Sequence, residues 1–302
     1  MKIFKTTTKI NFLSISKYTF YLSLLLIIMG SISLLYKGID LSIDFKGGTI
    51  IDLEISKSDF EISDLRNQVN EVLQQKTNIV EVSQNKNQRK LIVTTEFLDN
   101  KNETLFNNLL TEIFDKDYQI NQIESIGPKL GEELKNNARN AIFASLLLIG
   151  IYITLRFDRF YAFGSLVALL HDIFIILCLF SLFGFEISVA IIAAFLTIVG
   201  YSLNDTIVIY DRIRENIQKY PKTEKFTVIN KSLNETLSRT IITSLTTLFV
   251  VIVLYIWGGQ VLKPFSLALI MGVFIGTYSS LFIASPFMFL LAKKINLDTE
   301  EE

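Results

Sequence analysis

The chain has 302 residues, half of them hydrophobic and 20% charged, with a formal net charge of -1 and a positive mean hydropathy. This is too apolar for an ordinary soluble domain of its size, and it reads as a polytopic membrane protein. A single His and a single Cys exclude a metal cluster and a disulfide framework by inventory. The lone Cys178 lies in an apolar run and is assigned to packing.

Residues 1–17 form a basic arm with Lys2, Lys5, Lys9 and Lys17. The first crossing, 18–36, is too long for a signal peptide, and "GSISLLYKG" offers no small-x-small cleavage signature, so it reads as an uncleaved anchor. Residues 37–137 then form the one stretch large enough for a separate domain, with 12 basic against 18 acidic residues.

Within it, "IDLSIDF" reads as a strand ending at the tight turn "KGGT", Lys46 to Thr49, where paired glycines supply positive φ. "TIIDLEI" is a strand. "SDLRNQVNEVLQQ" is a helix capped by Ser63, with Leu65, Val69, Val72 and Leu73 on its apolar face. Strands "IVEVSQN" and "KLIVTTE", a helix around "ETLFNNLLTEIF" and a strand "YQINQIESI" complete the order strand, helix, strand, strand, helix, strand. That is the split βαβ or ferredoxin-like α+β arrangement. A free sheet edge could add a strand from an extended polypeptide. Gly127 and Pro128 start a helix expected to run into the membrane.

Five further crossings follow in 138–292. The second (140–155, extending back through Ala138 and Arg139), third (160–183) and fourth (187–210) occupy 138–210; the fifth and sixth occupy 240–292. Between them, 211–239 is a connection in which Phe226, Ile229, Leu233 and Leu237 repeat at helical spacing. An amphipathic helix at the membrane interface fits this pattern, separated by Pro221 from the fourth crossing. Residues 293–302 form a polar tail.

Basic residues crowd one side: the arm, Arg156 and Arg159, the 211–239 connection, and Lys293 with Lys294. The other short loops carry only Lys263. Both termini are therefore expected to be cytoplasmic and 37–137 exported.

Polar residues interrupt the apolar runs. His171 and Asp172 sit near the middle of the third crossing, and Asn204 and Asp205 lie about 8 Å inside the cytoplasmic end of the fourth. A charge at a helix centre costs about 2.5 to 3.5 kcal/mol on the insertion scale, so such groups face a bundle interior or water. Stepping back from Asp205 gives Tyr201, Thr197, Ala194 and Ala190, a stripe of mostly small or polar side chains. Gly164, Ala168 and Asp172 align similarly. In the sixth crossing Ala268, Gly272, Gly276, Ser280 and Ala284 form a small-xxx-small ladder that permits close helix approach.

The expected partner of Asp205 is Arg239, at the start of the fifth crossing, with Thr240, Thr243, Ser244 and Thr247 continuing a hydroxyl-rich surface. Such a constellation can relay protons; the alternative is a static ion pair that fixes helix register. His171 is either a packing imidazole or a proton site.

These residues carry a resemblance. "GYSLNDTIVIYDRIREN", "SLNETLSRTIITSLTT", "LRFDRFYAFGSLVALLHD", "IDFKGGT" and "GPKLGEEL" resemble, in order and over 38–292, the SecD/SecF family of Sec protein translocase subunits, on its SecF side. The resemblance implies a six-helix half of a resistance-nodulation-division bundle in a bacterial inner membrane, paired with a homologous SecD half and acting beside the Sec translocon channel on an emerging preprotein. It further implies that Asp205 and Arg239 serve proton passage, that the proton motive force is the energy source, and that no cofactor, metal or nucleic acid is involved.

Two other functions compete. An intramembrane aspartyl protease would use Asp172 and Asp205, although Asp205 lies in "SLND" and the two differ in depth. A proton-coupled small-molecule exporter of the same superfamily would need two such halves.

Overall fold

The structure is a computed structural model and describes residues 8–56, 60–85, 88–115 and 117–298. The chain divides into two compact units, Leu41–Arg139 and the remainder, Met1–Asp40 with Asn140–Glu302.

The first helix, α1 (Phe12–Lys37), begins where the Asn11 side chain accepts from the Ser14 amide, and ends at Gly38 with φ +75°. The predicted strand "IDLSIDF" is not formed. Ser42 instead caps a single helical turn, α2 (Ile43–Lys46), by accepting from the Asp44 amide. Alternating hydrophobicity favoured a strand, but the cap and the two glycines that follow close the turn first. Gly47 has φ +75° and Gly48 φ +148°, so the turn reading of "KGGT" holds. A Cβ on Gly47 would lie 3.0 Å from Pro128 Cα, and one on Gly48 would lie 2.7 Å from the Thr95 carbonyl oxygen.

From there the small unit follows the predicted order: β1 (Gly48–Ile55), α3 (Ile62–Leu73), β2 (Asn78–Asn85), β3 (Gln88–Thr95), α4 (Asn100–Phe114) and β4 (Tyr118–Ile126). All pairings are antiparallel in the spatial order β2-β3-β1-β4, the ferredoxin-like arrangement. Period-two alternation along β1 and β3 sends Ile51, Leu53, Ile55, Leu91 and Val93 into one core. There they meet Leu65, Val69 and Leu73 of α3 and Phe106, Leu110 and Phe114 of α4. Val72, at the edge of the α3 stripe, is exposed. Glu61, not Ser63, is the N-cap of α3. The edge strands are β2 and β4. Arg89 on β3 pins the hairpin by a two-point contact to Glu81 on β2 (2.9 and 3.1 Å) and a bond to the Phe60 carbonyl (2.7 Å).

Pro128 opens α5 (Pro128–Arg156), which runs on to the second crossing. In the larger unit follow α6 (Arg159–Phe183), α7 (Val189–Lys219), α8 (Lys225–Trp257), α9 (Gly259–Ser279), a π-turn at Ser280–Ala284, and α10 (Ser285–Asp298). Among the described residues six helical spans, Val261–Ala292 being the last, are long and apolar enough to cross a membrane.

The interface helix expected in 211–239 is not a separate element. α7 continues to Lys219 and α8 starts at Lys225, leaving a short break at 220–224 that contains Pro221. Ile229, Leu233 and Leu237 are buried in one cluster with Phe12, Leu13, Ile213 and Leu281, so the apolar stripe serves the bundle core. Helical spacing predicts an apolar face, and only packing decides whether lipid or protein covers it.

Small residues set the helix contacts. A Cβ on Gly272 would lie 2.2 Å from Ile198 Cγ1 and one on Gly276 3.0 Å from Ser202 Cβ, so the α9 ladder lies directly on α7. Gly164 of α6 faces the Tyr210 hydroxyl and the Ala284 carbonyl, which bond each other at 3.0 Å. α1 and α6 share a seam in constant register: Ser23 against His171, Gly30 against Cys178, and Ser33 against Ser181.

Candidate functional site in the membrane unit

Asp205 is 2% exposed, on the α7 face turned to the bundle. Its Oδ1 accepts from the Thr243 hydroxyl of α8 at 3.4 Å, a long bond that Thr243 shares with its own helix carbonyls at Thr240 (2.9 Å) and Arg239 (3.1 Å). Its Oδ2 has no hydrogen-bond partner among the described residues, and neither do the buried Tyr201 hydroxyl, one turn away on α7, and the Thr240 hydroxyl on α8. Buried polar atoms left open in this way mark a place for water or for a group from another chain.

Arg239 is exposed and forms no ion pair with Asp205 among the described residues. It stands one turn before Thr243 on α8, so the hydroxyl, rather than the guanidinium, makes the direct contact. Asn204 and Thr197 are exposed on α7, and Thr197 spends its hydroxyl on its own helix at the Ala193 carbonyl (2.8 Å). The stripe expected to face inward is therefore split: Ala194 and Asp205 are buried and Tyr201 is half-buried, whereas Ala190 and Thr197 lie on the open side. A stripe at steps of three and four drifts around the helix axis, and this one crosses the edge of the bundle.

His171 and Asp172 lie together in a second, closed network. Asp172 is 1% exposed. Its Oδ1 is 3.0 Å from His171 Nδ1, and its Oδ2 accepts from Ser202 of α7 (2.6 Å) and Ser279 of α9 (2.8 Å). His171 Nε2 reaches Ser23 of α1 at 3.0 Å; Ser23 contacts the Tyr278 hydroxyl at 2.8 Å, and that hydroxyl donates to the Thr19 carbonyl at 2.6 Å. Sequence reasoning missed Ser23, Ser202, Tyr278 and Ser279. Their legible signal was a hydroxyl inside an apolar crossing, and its use depended on neighbours far away in the chain.

Asp172 and Asp205 share no hydrogen bond, each having its own donors, so the shared-proton geometry of an aspartyl protease is not formed. At the far end of α7, Arg212 donates to Glu235 (2.6 Å), which also accepts from Asn216 (2.8 Å), joining α7 to α8. Among the described residues no group of three His, Cys, Asp or Glu side chains could hold a metal ion.

Six membrane helices with a ferredoxin-like domain inserted between the first and second constitute one half of a resistance-nodulation-division-type membrane bundle. The family profile described as "Protein export membrane protein SecD/SecF, C-terminal" matches residues 106–294, and "SecD/SecF GG Motif" matches 32–59, which include Gly47 and Gly48. The chain is 37% identical over 299 residues to the protein translocase subunit SecF of Calditerrivibrio nitroreducens, covering 96% of this chain and 97% of that one. It is 40% identical over 308 residues to the SecF of Rhodothermus marinus, covering 95% and 94%. A crystal structure of SecDF from Thermus thermophilus superposes with a TM-score of 0.85 at 35% identity, over 97% of this chain and 40% of that one. A SecDF structure in a super-membrane-facing form gives 0.73 at 34% identity, over 99% and 41%. The chain thus spans about two-fifths of the length of the SecDF chains.

This chain belongs to the SecD/SecF family of protein-export membrane proteins, on its SecF side.

Proposed function

We propose that this protein is the SecF-type half of a proton-driven motor. With a SecD half it uses the proton motive force, and no other cofactor, to promote the late stage of preprotein translocation beside the Sec channel. The observation that carries this reading is Asp205: a carboxylate buried in a membrane helix, with one oxygen unpartnered and only a long, shared bond on the other. A buried membrane carboxylate without a fixed partner is poised to exchange a proton. The neighbouring open strip, with Thr197, Asn204 and Arg239 exposed, is the surface a second half would cover. In that assembly Arg239 acts as the nearby positive charge that favours proton release from Asp205, and Tyr201 and Thr243 border the route.

In this reading both termini are cytoplasmic, as the lysine and arginine distribution requires, and the ferredoxin-like domain meets the preprotein on the far side. The test is Asp205→Asn in membrane vesicles containing SecD and the channel. SecD should still copurify, while stimulation of export by the proton gradient is lost. Normal gradient-stimulated export would sink the proposal, and a homodimer that forms without SecD would favour a small-molecule exporter.

A further inference from the structure

The protons of the His171 network can be placed by counting donors. A carbonyl only accepts, so the single hydrogen of the Tyr278 hydroxyl goes to the Thr19 oxygen at 2.6 Å. Ser23, 2.8 Å from that phenol oxygen, must then donate to it. With its hydrogen so used, Ser23 offers only lone pairs to His171 Nε2 at 3.0 Å, and Nε2 carries a proton. On the other side both serine hydroxyls donate to Asp172 Oδ2. One proton remains for the 3.0 Å line between Nδ1 and Oδ1. On nitrogen it makes an imidazolium and a carboxylate; on oxygen it makes a neutral imidazole and a carboxylic acid. Either way the pair is neutral overall, which is how a fully buried Asp is accommodated at the centre of a membrane helix.

We infer that His171 and Asp172 form a one-proton dyad, a second protonatable centre in the membrane unit separate from Asp205, whose proton count decides whether the His171–Ser23 bond between α6 and α1 is kept. A second proton would leave a buried net positive charge and set Nδ1–H against Oδ1–H with no acceptor between them, so the contact opens and the imidazole turns away from Ser23 toward solvation. Loss of the shared proton would leave a buried net negative charge. The side chains facing the dyad are Ser23 from α1, Ser202 from α7, and Tyr278 and Ser279 from α9. Tyr278 is the titratable group among them, and Asp205 is the next on α7, three residues past Ser202.

The α1–α6 seam carries its own reporter. The sole cysteine, Cys178, is covered by α1 at Gly30, where an added Cβ would fall 2.0 Å from the Cys178 Cβ. It lies two turns along the same seam from the His171–Ser23 bond.

The experiment uses the full chain in lipid nanodiscs, with its single His labelled with nitrogen-15, and N-ethylmaleimide alkylation of Cys178 between about pH 5 and 8. The ring spectrum should show Nε2 protonated throughout. Ser23→Ala, which removes the α1 bond and keeps the dyad, should alkylate several-fold faster than wild type at the alkaline end. That ratio should fall toward one at the acid end, as the wild-type dyad takes its second proton; taking both rates at one pH cancels the thiolate fraction. An unprotonated Nε2, or a ratio constant with pH, overturns the inference. The series is repeated with Asp205→Asn in both chains. An unchanged pH dependence supports a separate centre, and its disappearance assigns the response to Asp205 and ends the proposal. Export assays do not enter this test, so it can fail or succeed independently of the motor reading.

Discussion

Gly272 of α9 lies so close to Ile198 of α7 that a methyl group added to it would sit 2.2 Å from the Ile198 Cγ1 atom. Gly276 repeats the relationship one turn on, against Ser202, the residue whose hydroxyl bonds Asp172. The backbone approach of α9 to α7 therefore sets the position of the polar network as well as the packing.

Gly272→Ala should destabilise the protein by about 1 to 3 kcal/mol, the usual cost of forcing extra volume into a packed contact. Gly200→Ala meets nothing within 4 Å on the same helix as Ile198 and should be neutral, or stabilise by up to about 1 kcal/mol through helix propensity. Thermal unfolding of the two variants in detergent, followed by size-exclusion recovery, checks the sign of each.

The turn before β1 makes a sharper backbone prediction. Gly47→Ala places a side chain at φ +75° and 3.0 Å from Pro128 Cα. The left-handed conformation alone costs about 1 to 2 kcal/mol, so the variant should lower the protection of β1 and β4 amides in hydrogen exchange. Gly127→Ala, whose Cβ would meet only Phe97 at 3.9 Å, is the matched control and should leave protection unchanged.

The Arg89 guanidinium, bonded to Glu81, holds that carboxyl below its ordinary value. A lowered folded value means that the stabilisation is complete above the unfolded value, about pH 4.3. It is lost as pH falls through the lowered folded value. Glu81→Gln should accordingly be less stable than wild type at neutral pH, and the two should converge in acid. Denaturant midpoints measured along a pH series give the comparison; a gap that persists at the acid end would show that the pair acts by shape and not by charge.

Asn234 holds the N-terminal arm by both ends of its amide: Oδ1 accepts from the Ile10 amide (2.8 Å) and the Thr8 hydroxyl (2.7 Å), and Nδ2 donates to the Ile10 carbonyl (2.8 Å). Each such bond contributes about 0.5 to 1.5 kcal/mol net. Asn234→Ala should expose the segment around Ile10 to limited proteolysis several-fold faster, with α8 itself still folded by circular dichroism.

Much of this architecture is written in short-range pattern. Apolar runs of membrane length, the alternation in β1 and β3, and the α9 ladder at steps of four are properties of neighbouring residues, and they determined the six crossings, the split βαβ order and the close helix approach. Where two local signals competed, sequence reading went astray: alternation in "IDLSIDF" suggested a strand, but the Ser42 cap and the left-handed Gly47 produce a helical turn. The membrane position of Asp205 was equally legible, because an ionisable group in an apolar run is costly wherever the run goes.

Its surroundings were not. That Thr243 rather than Arg239 touches Asp205 depends on the rotation of α8 about its axis, to which spacing is blind. That His171 and Asp172 bond Ser23, Ser202, Tyr278 and Ser279 depends on helices brought together from across the chain. Sequence by itself determined which residues need a partner, since burial in lipid penalises any open polar group. Tertiary structure alone decided which partner each receives, because a hydrogen bond requires atoms about 3 Å apart and chain order does not encode that distance.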